Sequence, residues 1–217
     1  HRDLHSFPTR RSSDLSLREF RKSNPNESRS MVLFKEGYSD KQISKIKESV
    51  EKLGGSLVVV NSAKEMTNYV NSKSTSSSDI SSERSSDQVT NMSMFSHGVV
   101  GSVEFGYHTE KAAAYSLNSS NVGNFNSGAF SKDAEITSFA CRSALGNPNI
   151  NNFTWGMPFE WPSYGNSIAA QIANQTGATV HAWAVRTVYS NTLGSPLDRR
   201  LSPSNIPAQE EVDGAIL

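Results

Sequence analysis

One cysteine in 217 residues excludes an internal disulfide framework and a cysteine-built zinc cluster, and leaves the redox compartment open. Long apolar runs are missing too. None approaches the roughly 18–20 residues that a bilayer-spanning helix needs, so no membrane span is expected in this fragment. Excess charge of either sign is also lacking: Lys plus Arg and Asp plus Glu both number 21, and no global field points to nucleic acid or an anionic surface. Hydrophobic residues make up only 35% of the chain, low for a globular protein. Ser and Asn take up the shortfall in particular segments, which predicts a core interrupted by long polar loops. Nor does a glycine-rich phosphate loop follow the first apolar run, where Lys35-Glu36-Gly37-Tyr38 stands instead. That counts against a flavodoxin-like nucleotide or flavin binder.

What is present starts with an anomaly. His5 to Leu15, HSFPTRRSSDL, resembles the translation of a short-read sequencing adapter. Residues 1–15 are therefore expected to be an artefact rather than a natural basic tail, with the true N-terminus missing, and 16–30 a disordered leader or the edge of a fragment. From Met31 onward, strand and helix signals alternate. Met31–Phe34 is a short apolar run. Ser39 with Gln42 marks a capping box, Ile43, Ile46, Val50 and Leu53 share one helical face, and Gly54-Gly55 supplies the stop. Leu57–Val60 reads as a strand buried on both faces, and Ser62 with Glu65 opens a second helix carrying Met66, Tyr69 and Val70. Residues 71–87 are dominated by serine and are expected to form a mobile surface loop without chemistry.

The second half repeats the pattern. Val89–Phe95 reads as a strand, Ser102–His108 as a hairpin arm, Asn118–Ser127 as loop, Ala134–Ala140 as a strand, Ile168–Ala173 as a helix stopped by Gly177, and Thr179–Val185 as a final strand. Residues 191–217 read as an irregular tail or linker. This order predicts an α/β domain over 31–190, a three-layer sandwich with a mostly parallel central sheet. In such sheets sites form beyond the carboxyl ends of the strands.

Two motifs fall at that edge: Phe95-Ser96-His97-Gly98, and then Phe139-Ala140-Cys141-Arg142-Ser143. A thiol paired with an imidazole can act as nucleophile and base. The backbone amides of Gly98 and Cys141 can supply an oxyanion hole. The bland readings are a Cys that packs as a small hydrophobe and a satisfied polar His. The joint placement of the two favours chemistry. His181, inside the last strand, reads as a core or interface residue, and His108 as a surface residue without metal-ligand spacing. Trp155, Phe159 and Trp161 are candidates for a substrate wall or for a loop packed over the sheet.

Met31 to Val185 resembles the caspase-fold cysteine peptidases (clan CD type), particularly their bacterial relatives in large secreted, surface or toxin proteins. His-Gly after the third strand and Ala140-Cys141-Arg142 after the fourth carry the resemblance, while Phe139 and Ser143 depart from the caspase Q-A-C-R-G pattern. The resemblance implies a caspase/flavodoxin-like sheet and an endopeptidase. His97 and Cys141 would be its dyad, acting on a peptide or protein substrate with no cofactor and no metal. It also implies a secreted or cell-surface location. It gives no specificity pocket and no oligomeric state. The alternative is a catalytically inactive adhesion or interaction module of the same fold.

Overall fold

The computed structural model describes residues 9–106, 112–146 and 164–184, with the side chains of 9–15 left aside. Two compact units divide these residues between Asn61 and Ser62, so the boundary crosses the single domain expected over 31–190.

The first unit is a small βαβ arrangement preceded by a helix: α1 Thr9–Ser23, β1 Ser30–Phe34, α2 Asp40–Lys52 and β2 Ser56–Val60. The strands run parallel, from Ser30 opposite Ser56 to Phe34 opposite Val60. Helix α2 begins where its capping box lies: Ser39 accepts from the Gln42 amide, and the Gln42 side chain accepts from the Ser39 amide. It ends at Gly54, whose φ of +72° is the left-handed conformation a glycine adopts without a Cβ clash. Met31, Leu33, Ile46 and Val50 form the core, with Leu17, Tyr38, Ile43 and Leu57 packed against it. Two expectations are corrected here. Residues 16–23, expected as disordered leader, belong to α1, because Leu17 finds apolar cover on this core. Strand β2 is fully buried only at Val60, since among the described residues it pairs on one side alone, in a two-stranded sheet.

The second unit holds α3 Ala63–Ser72, α4 Ser82–Ser86, β3 Val89–Met94, β4 His97–Val99, β5 Ser102–Glu104, β6 Ser116–Asn118, β7 Phe130–Ser138, α5 Ile168–Thr176 and β8 Thr179–His181. Three strands form a parallel sheet in the order β3-β7-β8. Its register sorts the side chains into two rows. Met92 and Met94 pair with Ile136 and Ser138, and Ile136 with Val180. On the other face Asn91, Ser93, Glu135, Thr179 and His181 are exposed. The sheet thus buries one face, where cover on both was expected, because its second row is polar. The chain is α/β, and its described residues form two parallel sheets, one in each unit. The second unit adds a three-stranded antiparallel meander, β4-β5-β6.

Residues 71–87, expected as a loop, contain the end of α3, a left-handed cap at Lys73 and the short helix α4. Side chains close the segment on itself. Buried Asn71 donates to the carbonyls of Ser78 and Asn124 and accepts from the Asn126 amide. Ser81 donates to the Ser72 carbonyl, and Lys73 pairs with Asp87 at 2.6 Å and Glu83 at 3.2 Å. The residues that cannot build an apolar core satisfy the backbone instead.

Candidate functional site

Strands β3 and β7 deliver the two motifs side by side. Met94 pairs with Ser138, and the Phe139 amide donates to the Met94 carbonyl at 2.9 Å. Phe95 and Phe139, the next residue on each strand, stack with ring centroids 4.7 Å apart and planes 3° from parallel. Both rings are buried. This aromatic clamp fixes the two chains where they leave the sheet, so Ser96-His97-Gly98 and Ala140-Cys141 depart from neighbouring points.

The closest approach is at Gly98. A Cβ built there would lie 2.2 Å from the Cys141 carbonyl oxygen and 2.9 Å from both the Cys141 nitrogen and the Ala140 Cβ. Glycine is required by space alone. Cys141 and His97 are each half-buried, and Cys141 is in no disulfide.

The turn after Cys141 is held from three directions. Fully buried Ser143 donates to the Ala140 carbonyl at 2.9 Å and meets the Ser138 hydroxyl at 3.0 Å. Its own carbonyl accepts from Ala169 at the start of α5, and Ala144 donates to the Trp183 carbonyl. Arg142 sits at φ +54°, in the left-handed region that a non-glycine residue occupies only at a cost of order 1 kcal/mol.

His97 does not end a strand, as its position after β3 suggests, but begins one. β4 turns through Val100-Gly101, with Gly101 at φ +84°, into β5. The register pairs Val99 with Ser102, Gly98 with Val103 and His97 with Glu104. β6 continues the row, with Ser116 opposite Glu104. Alternation therefore sets His97, Glu104 and Ser116 on one face of the meander. Gly98, Val103 and Leu117 lie on the other, where the last two are fully buried. One Glu104 oxygen accepts from the Ser102 hydroxyl and the other from Ser116 at 2.5 Å. The sequence reading missed Glu104. Its signal was present, since counting outward from the two-residue turn pairs 97 with 104.

Of the remaining candidates, His181 lies exposed at the end of β8, opposite Thr137. It is not a core residue, because it belongs to the polar row of its sheet. Trp155, Phe159, Trp161 and His108 lie outside the described residues, as does the tail 191–217. Among the described residues no three His, Cys, Asp or Glu side chains group as a metal site, and no helix is long and apolar enough to cross a membrane. No protein-family model, curated protein or solved structure matches the chain.

Proposed function

We propose that the chain carries a caspase-like cysteine endopeptidase domain, built on the three-layer caspase/flavodoxin-like sandwich that its strand and helix order implies. The observation that carries this reading is the seating of Gly98 on the Ala140-Cys141 backbone, with no room for a Cβ. A His-Gly dipeptide locked beside a cysteine at the end of a parallel strand pair is what such an acyl-transfer site requires. In the mechanism, the Cys141 thiol loses its proton to His97 and the thiolate adds to the scissile carbonyl. The C–N bond then breaks, with His97 protonating the departing amine. Water, deprotonated by the same imidazole, cleaves the thioester and restores the thiol. The Gly98 and Cys141 amides stabilise the oxyanion. Gly98 suits that role, because alternate pairs of an antiparallel ladder leave their N–H groups outside it. It lies one residue in from the closing pair of the hairpin, on the outer strand.

One observation favours the second reading, a non-catalytic interaction module. Strand alternation turns His97 toward the Glu104 row, whereas the Gly98 position faces Cys141. The test compares the full chain with its Cys141→Ala variant on a mixed peptide library, together with labelling by a peptidyl acyloxymethyl ketone. Cleavage and labelling that both vanish in the variant are expected. Full retention of the parent's cleavage by Cys141→Ala overturns the peptidase reading. A folded parent that neither cleaves nor takes up the label replaces it with the second.

A further inference from the structure

We propose that Glu104 is a positioning residue for His97, holding its imidazole in the orientation and charge state that the proposed dyad uses; the inference rests on that reading for its catalytic meaning. The two residues are direct partners across β4 and β5, and side chains so paired have Cβ atoms about 4.5–5.5 Å apart on one face. A glutamate reaches that span.

What distinguishes Glu104 from an ordinary surface carboxylate is how it is held. Ser102, two residues earlier on the same strand, and Ser116, opposite on β6, donate one hydroxyl to each of its oxygens. Both serines are buried. The hydroxyls fix the carboxylate in the His97 row at little entropic cost on binding, because the donors are already immobile. A carboxylate oxygen has two acceptor sites, so each keeps one after the serine bond. An imidazolium N–H is the donor that fits. An oriented carboxylate beside a catalytic imidazole selects one tautomer and stabilises the protonated ring.

Next to Gly98, the chain after β7 carries Cys141 and Arg142, and beyond β5 the strand β6 consists of Ser116, Leu117 and Asn118. A carboxylate opposite His97 favours the protonated ring, so removal of Glu104 has a definite sign.

The test is a histidine-resolved NMR titration of the full chain, with the His97 resonance assigned by its loss in His97→Gln. His97 is expected to titrate above the ordinary histidine value of about 6.5. In Glu104→Gln it should fall by roughly one unit, the lower end of the effect of a neighbouring opposite charge. An unchanged His97 titration in a folded Glu104→Gln overturns the proposal. If that variant does not fold, the parent decides: titration at or below about 6.5 overturns it. Because this readout involves no cleavage, it separates the two claims. A shifted His97 in a chain that cleaves nothing retains the pair and removes the peptidase; an active chain with an unshifted His97 does the reverse. In an active chain Glu104→Gln lowers kcat with little change in KM and moves the limb of the pH profile that reports His97. Loss in KM alone overturns the positioning role.

Discussion

Gly98 tests the site at the scale of single atoms. Substitution by alanine puts a methyl group 2.2 Å from a backbone oxygen, and a backbone cannot swing aside as a side chain can. Gly98→Ala is expected to cost about 1–3 kcal/mol, as overpacking does, and to abolish whatever chemistry depends on the Gly98 amide. Gly128 provides the control. A Cβ there meets the Cδ1 of Ile80 at 2.6 Å, the far end of a flexible chain, so Gly128→Ala should cost clearly less in the same denaturant titration. Equal costs would mean that the Gly98 backbone is free to move away from Cys141. Lys73 offers a second test at this scale. Its hydrogen bond to Asp87, opposed by partial burial and aided by Glu83, raises its pKa above the ordinary value of 10.5. A raised lysine pKa stabilises the fold fully below the unfolded value, and that stability is lost as the pH rises through the folded one. Asp87→Asn should therefore destabilise the protein by about 1 kcal/mol at neutral pH, with the difference narrowing above pH 10.5. A difference that widens with pH would remove the ion pair as its cause.

At the scale of elements, the legible features were those with local causes. The box at Ser39 and Gln42 started α2, Gly54 stopped it, and Gly177 at φ +75° closed α5, each as its residues require. The strand positions of β1 and β3 were legible for the same reason, as short apolar or alternating runs, whereas β7 begins at Phe130, four residues before the expected Ala134, and ends at Ser138. Pairing was not, because it joins residues far apart in sequence. Nothing in Leu57–Val60 says that, among the described residues, β2 pairs only with β1. The serine-rich stretch was misread because its composition predicts the absence of an apolar core, not the absence of order. Asn71, Ser72 and Ser81 tie it down through backbone carbonyls. Of the candidate site, the proximity of the His97 and Cys141 motifs was legible from two strand ends. The Glu104 row required the register that the Val100-Gly101 turn imposes.

At the scale of the whole molecule, the separation into units has an energetic consequence. Met31, Leu33, Ile46 and Val50 form one core, while the β3-β7-β8 sheet buries Met94, Ala134 and Ile136. The residues named for each core belong to one unit, and cooperative opening follows contiguous packing. Val50 is fully buried, and truncating it to alanine removes two methyl groups from the smaller core, a loss of roughly 1–3 kcal/mol. In Val50→Ala, amide hydrogen exchange should accelerate at Leu33 in β1 and Val59 in β2, while Ile136 and Thr137 in β7 keep the parent's rates. The acceleration at Leu33 and Val59 should match the drop in local stability, a factor of about ten for each 1.4 kcal/mol. Equal acceleration at all four amides would mean that the two cores open as one, and that the boundary at Asn61 is a feature of geometry without an energetic counterpart.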